Sequence, residues 1–368
     1  MITRTQVKTV SKALLGLLAL CSAGWMVGST AFADDHNGGR IRVMTQNLYD
    51  GTDRTGLLEA TSFESFLAAV DFAYRNLIAT RPNERLAAIA AEISAHTVDV
   101  VGLHEAAIWR TGASSLVGPP TPAENVQFDF LQILLDELGK LGQDYVAVAV
   151  LPGLDVQLPS TLGLDVRLTD RDAIIVRKSL LAGGYQVSNL QEQDYLSQKV
   201  YTVALLNGAQ VVERSGWASV DLVRGKSKWR LVTTHLAFDP LFDPTTAMAQ
   251  ASELLATAGQ SDSPTVLLGD FNTNANSAAD PTFPTYQTIL NGGFSDAWNV
   301  ARENTAGLTC CQDENLANPS SKLSVRYDLI FVKGASVLDA QVVGDQVTDK
   351  TSSSLWPSDH AGVIATLQ

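Results

Sequence analysis

Five short apolar segments that break off into acids, amides and histidines constrain this chain more than any other feature. They are IRVMTQNL (41–48), VDVVGL (98–103) followed by His104-Glu105, WRLVTTHL (229–236), PTVLLGDF (264–271) followed by Asn272, and YDLIFVK (327–333). Runs this short, rich in aliphatic and β-branched residues and bounded by polar ones, read as strands. Further strands are expected at DYVAVAV (144–150), DAIIVRK (172–178), WASVDLVR (217–224), SVLDAQVV (336–343) and AGVIATLQ (361–368). Phe63, Phe66, Leu67, Val70, Tyr74, Leu77 and Ile78 recur every three or four residues and predict a helix, and Pro82-Asn83-Glu84-Arg85 opens a second over LAAIAAEISA. VQFDFLQILLDELG (126–139) reads as helical, and Met248, Leu254 and Leu255 mark another helix. The stretches 151–171 and 181–215 have no strong period and read as insertions. Strand-rich blocks interspersed with helices fit one α/β domain, residues 41–368, of two packed sheets flanked by helices.

The amino terminus reads as an address. Arg4, Lys8 and Lys12 precede the apolar run ALLGLLALCSAGWMVG, and Ala31-Phe32-Ala33 supplies a small-x-small cleavage site. Residues 1–33 are therefore expected to be a signal peptide, with a flexible segment 34–40 after it and a secreted or periplasmic destination. A retained membrane anchor needs roughly 18 continuous apolar residues, whereas this run is interrupted by Ser22 and Gly24. Leu20 before Cys21 argues against a lipoprotein. Residues 1–33 hold three of the 26 basic side chains and none of the 39 acidic ones, so the remainder carries a formal net charge of −16. That excludes a broad basic clamp for a nucleic-acid polymer.

Cys310 and Cys311 are adjacent. Consecutive Cα atoms lie closer than the usual span of a disulfide, so a bond between them must be a vicinal one. A thiol pair or bonds to another chain are the alternatives. Zinc is not expected, because two cysteines without a second pair or nearby histidines do not supply four ligands.

The strand ends are where the chemistry lies: Asn47, His104-Glu105, His235, Asp270 with Asn272, Tyr327-Asp328 and Asp359-His360. In a regular strand Asp270 and Asn272 project to the same side, while Asp359 and His360 diverge unless the chain bends, as Leu355-Trp356-Pro357-Ser358 allows. Singly, each has an ordinary explanation as a turn, a cap or a core histidine. His104-Glu105 does not open a zinc-protease motif, because Ile108 stands where a second histidine is required.

Jointly, TQNLYDG, VVGLHE, TTHL, LLGDFN, YDLIF and SDH, in this order from Thr45 to His360, resemble the endonuclease/exonuclease/phosphatase superfamily, with its DNase I-like nucleases, sphingomyelinases and inositol-phosphate phosphatases. The resemblance implies a four-layer α/β/β/α sandwich with the site at one end of the two sheets. It implies a Mg2+- or Mn2+-dependent phosphoesterase in which Glu105 is the chief metal ligand and Asn47 and Asp359 complete or support the site. Asp270 orients or deprotonates the attacking water, Asn272 positions it or the phosphate, His235 and His360 face phosphoryl oxygens, and Asp328 orients His360. Tyr327, Arg171 and Arg326 are expected substrate contacts, with a local ion pair as the alternative for Arg171. Two departures bear on substrate. His104 stands where the family commonly carries glutamine, and Ala361-Gly362-Val363 lacks the aromatic–proline pair of DNase I-like and sphingomyelinase members.

The expected partner is thus a phosphate ester, as nucleic acid, phospholipid head group or small phosphate, taken by a monomer without a stable membrane anchor. A nuclease-like phosphodiesterase ranks slightly first, since the tryptophans are scattered and form no membrane-inserting tip. A non-catalytic binding protein on the same sandwich is the competing class. It is disfavoured because every matched motif position keeps a chemically competent residue.

Overall fold

In the computed structural model the apolar strands acquire two faces, and both are covered. The structure describes residues 39–203, 209–239 and 243–368; the expected signal peptide and most of the segment 34–40 lie outside them. One sheet runs β15 (Val337–Val343), β16 (Gly362–Leu367), β1 (Ile41–Asn47), β2 (Val100–His104), β6 (Leu164–Arg177), β3 (Ile108–Ala113) and β4 (Asn125–Asp129), with β5 (Tyr145–Pro159) also paired to β6. The other runs β13 (Ser295–Asp296), β14 (Asp328–Lys333), β12 (Thr265–Asp270), β11 (Ser227–His235), β10 (Gly216–Arg224) and β7 (Gln186–Asp194). Strands β8 (Lys199–Val203) and β9 (Ala209–Glu213) form a separate ribbon. Each large sheet holds one parallel pair, β1 with β2 and β11 with β12.

Alternation along the strands explains why the apolar runs show no polar face. Val43, Val100, Ile174, Val266, Leu268 and Ile330 meet between the sheets. Their neighbours Met44, Val101 and Ile175 turn outward onto helices α2 (Phe63–Ala79), α3 (Pro82–Ala95) and α4 (Phe130–Lys140). On the opposite side Leu267, Leu329 and Phe331 pack under α6 (Thr245–Ala256) and α7 (Phe283–Asn291). Short helices α1 (Thr55–Leu58), α5 (Lys178–Ala182) and α8 (Ala297–Ala301) occupy connections. The result is the expected four-layer α/β/β/α sandwich. The sheets approach so closely at Gly102 that a Cβ there would lie 2.7 Å from Leu268 Cβ, which only glycine avoids. No helix among the described residues is long and apolar enough to cross a membrane.

Three expectations need correction. The helix expected over 126–139 starts only at Phe130, because Asp129 caps it by accepting from Gln132 N at 3.1 Å, and the residues before it pair with β3 as an edge strand. The stretches 151–171 and 181–215 are not featureless insertions. β5 and β6, 15 and 14 residues long, form a hairpin from Tyr145↔Arg177 to Pro159↔Asp165, and register shifts near Pro152 hide its period. β7, β8 and β9 occupy most of the second stretch. In α2, Phe63 and Ile78 are exposed although they fit the helical period.

One buried acid stands apart from the site. Both carboxylate oxygens of Glu92 lack a hydrogen-bond partner among the described residues. Burial, with Asp349 and Asp345 adding repulsion, pushes Glu92 up from 4.5 to about 8. Between those values the folded chain holds a proton that the unfolded chain has released, so stability falls as pH rises through the window. Glu92→Gln should remove that fall and raise stability at pH 9 by on the order of 1–3 kcal/mol. Denaturant unfolding at several pH values measures this, and identical pH slopes in both proteins would refute it.

Candidate active site

Register, more than proximity in sequence, assembles the site. The parallel pairing of β1 with β2 sets Asn47 beside His104, so Glu105 follows at the same end of the sheet. In the facing sheet His235, Asp270 and Asp328 form a single row across β11, β12 and β14. Just beyond three of these strand ends the backbone turns left-handed at non-glycine residues: Tyr49 (φ 57°), Glu105 (φ 53°) and Asn272 (φ 46°). Such conformations are sparsely populated and cluster at functional sites. Asn272 therefore enters through a turn rather than as a continuation of β12, its N–H donating to Asp270 Oδ1 at 3.0 Å.

Asn47 lies beneath two carboxylates and ties them together, its Nδ2 donating to Glu105 Oε1 at 3.0 Å and to Asp270 Oδ2 at 3.1 Å. Its Oδ1 accepts from Tyr49 N, and it is wholly buried, so it orients the acids from below. Glu105 Oε2 accepts from Asp50 N at 2.7 Å. Burial alone would raise Glu105, but His235, Arg54 and these hydrogen bonds hold it below the usual range. Asp359, reached through the loop before β16, is pushed up to about 7 by burial, with Glu105 adding to the push and His360 opposing it.

Asp270 is flanked by two imidazoles, His235 Nε2 and His360 Nδ1 each 3.6 Å from its Oδ2. Against the effect of burial they hold it as a carboxylate below the usual range. In return Asp270, then Asp172 and Glu105, outweigh burial and push His235 up to about 9. As a neutral ring His235 accepts from Asn272 Nδ2 at 3.1 Å. As a cation it donates toward Asp270 instead. His360 Nδ1 sits 2.7 Å from Asp328 Oδ2, and Asp328, Asp359 and Asp270 raise it well above an ordinary histidine despite burial. Asp328 itself is held by Thr309 Oγ1, which accepts from its N–H.

These groups open onto one cleft of about 640 Å3 that Glu105, His235, Asp270, Asn272, Tyr327, Asp359 and His360 all line. Arg171 also lines it, but its guanidinium is engaged by Asp129 at 2.5 Å and by the Ala106 carbonyl at 2.7 Å, which matches the local ion pair. Arg326 is misplaced as a substrate contact. It is 1% exposed and bound to Asp296, Asn276 and Asn299. His104 lies between the sheets, with Nε2 3.0 Å from Thr233 Oγ1. Burial, then the charge of His235, brings it down to about 3, so it is a neutral packing residue.

Sequence reasoning missed several charged groups in the cleft, among them Asp50, Arg54, Asp170 and Asp172. Asp170 and Asp172 alternate along β6 and share a face, a period-2 signal present in the sequence. Burial raises both. Arg54 is the counter-charge, 3.5 Å from Asp50 and 3.7 Å from Glu213. The cleft thus concentrates carboxylates around Glu105 and Asp359, and the charge of Glu105 adds to the burial that raises Asp359. An all-oxygen donor set of this kind fits a hard divalent cation.

A sandwich with acids and imidazoles converging at the strand ends defines a phosphoester hydrolase. The chain belongs to the Endonuclease/Exonuclease/phosphatase family, whose model matches residues 73–360. Among solved structures it is similar to a family protein from Leptotrichia buccalis, at 16% identity and TM-score 0.53 over 89% of this chain and 99% of that one. It is also similar to one from Beutenbergia cavernae, at 18% identity and TM-score 0.55 over 89% and 71%. D. rerio TDP2 complexed with single strand DNA product matches at 14% identity and TM-score 0.50 over 89% and 99%. At these identities the likeness is one of fold. A comparison with curated proteins finds no match.

Proposed function

We propose that this chain is an exported phosphodiesterase that depends on Mg2+ or Mn2+. The observation that carries this is convergence: Glu105, Asp270, His235 and His360 come from both sheets and meet in one cleft, with Asp328 buried behind His360 and their charges mutually adjusted. Glu105 and Asp359 would hold the cation. When bound, it supplies Lewis-acid neutralisation of the phosphate ester's charge. Asp270, kept ionised by its two histidines and oriented by Asn47 and the Asn272 N–H, takes the proton of the attacking water. His235 and His360 present N–H donors to phosphoryl oxygens, and Asp328 fixes the ring of His360. Tyr327, 7% exposed where it lines the cleft, offers a further hydroxyl.

Nucleic-acid diesters rank first in this reading, contacted at few phosphates. The cleft is acidic, and Arg171 is already paired. The second reading is a phospholipid head-group diester. It is supported by the apolar flank formed by Leu57, Leu58, Leu151, Leu154, Val156 and Leu158. A panel of plasmid DNA, RNA, sphingomyelin vesicles, bis-nitrophenyl phosphate and inositol polyphosphates, run with and without chelator, tests both. Exclusive monoester hydrolysis would overturn the diesterase reading. Glu105→Gln should weaken metal dependence and activity together, and undiminished turnover in excess chelator would refute the metal assignment. Export predicts an intact mass matching residues 34–368; retention of residues 1–33 would refute it.

A further inference from the structure

Cys310 and Cys311 have no part in the chemistry above, yet the fold builds them into the wall of the same cleft. Cys310 forms antiparallel bridges with both Val325 and His360, and Ala361 N donates to the Thr309 carbonyl at 2.8 Å. The pair is thereby pinned against His360. Cys310 is buried, Cys311 is exposed, and the two are joined as a vicinal disulfide.

Three potential ligand atoms are concentrated here. Cys311 Sγ lies 3.9 Å from His360 Nε2, and both sulfurs and a His360 ring nitrogen fall within 4.8 Å of one another. Tetrahedral thiolates about 2.3 Å from zinc stand roughly 3.8 Å apart, so the S–S bond must open before both sulfurs can share one ion. The other ring nitrogen of His360 is engaged by Asp328 at 2.7 Å, the carboxylate–imidazole arrangement that orients metal-bound histidines. Zinc is not expected from the sequence, because two cysteines do not supply four ligands. His360, 49 residues away in the chain, supplies a third in space, and the fourth position is left to water or another exogenous ligand. Two sulfurs and an imidazole select soft and borderline cations, in contrast to the oxygen set of Glu105 and Asp359.

We propose that Cys310, Cys311 and His360 form a second metal site, which takes Zn2+ or Cd2+ when the cysteines are in the dithiol form and thereby withdraws His360 from the phosphoester centre. A phosphine and water open the site. The S–S bond accepts two electrons from phosphorus, water oxygen ends on the phosphine oxide, and its two protons go to the sulfurs. Metal binding then releases both protons as the thiolates form. The inhibitory half of this proposal rests on the proposed phosphoesterase function, and the binding half does not.

The test uses the mature protein in excess Mg2+, with and without prior phosphine treatment. Cd2+ should raise the ultraviolet thiolate-to-cadmium absorption band in the reduced protein only, and should shift the His360 imidazole resonances. One equivalent of Zn2+ should lower turnover by on the order of tenfold or more in the reduced protein, while the disulfide form and Cys311→Ser are spared. Absence of the band, or a band with unmoved His360 resonances, would overturn the site even if no substrate has been found. Equal Zn2+ inhibition of reduced protein, disulfide form and Cys311→Ser would place the ion at the carboxylates and overturn the inhibitory role.

Discussion

Asp270→Asn should lower turnover by roughly 10²–10⁴ while leaving the sandwich folded. Asp270 Oδ1 accepts from Asn272 N and Oδ2 from Asn47 Nδ2, so an amide in its place must turn an NH2 toward one of two donors. Its charge is also what His235 and His360 share, each 3.6 Å away. Removing it lowers the basicity of His235, whose titration should move down from about 9. A drop in turnover with no movement of the His235 titration would mean that Asp270 acts through geometry alone. His360→Ala belongs in the same range of loss. His96, hydrogen-bonded to Gln341 Nε2 at the far end of α3, is the control. Loss at His96 comparable to that at His360 would show that the site is misplaced.

What the sequence made legible follows from burial. Strands covered on both faces must be apolar throughout, so PTVLLGDF and YDLIFVK announced themselves, and the polar residues that end them stood out by contrast. His235, Asp270 and Asp328 were visible for this reason. The β5–β6 hairpin was not, because Pro152, Gly153 and a register shift break its alternation where it leaves the sheet. Asp50 was hidden in turn-rich YDGTDRTG, where an acid reads as turn chemistry, although Trp109 Nε1 donates to its carbonyl and Glu105 accepts from its N–H. Arg326 misled in the opposite direction. An arginine beside Tyr327-Asp328 looks like a phosphate contact, but it stands in the segment before β14, buried and paired with Asp296. The roles of side chains just outside the strands depended on backbone turns at Glu105 and Asn272, which no residue pattern encodes.

Arg85 was the least legible of all, since an arginine in the first turn of a helix ordinarily faces water. Here it is 0% exposed and serves four backbone carbonyls: Nε donates to Thr80, Nη1 to Leu48 and Pro357, and Nη2 to Tyr49, at 2.9–3.1 Å. Burial lowers its pKa to about 10, partly offset by Tyr49 and Asp359. It therefore clamps the turn after Asn47 to the loop carrying Asp359 and His360, the two segments that bring metal ligand and imidazole together. Arg85→Met keeps much of the volume but strands those carbonyls, and should cost about 3–5 kcal/mol of stability. Arg85→Lys should recover part of this, because an ammonium has three donors where the guanidinium has five. If the clamp also positions the site, Arg85→Met should lose turnover beyond that of a variant equally destabilised in the opposite helical layer, such as Leu254→Ala, assayed where both remain folded. Denaturant unfolding and turnover measured on the same samples separate the two effects. An Arg85→Met protein as stable as the parent would remove Arg85 from the framework of the site, and turnover losses no greater than those of Leu254→Ala would reduce it to a structural support.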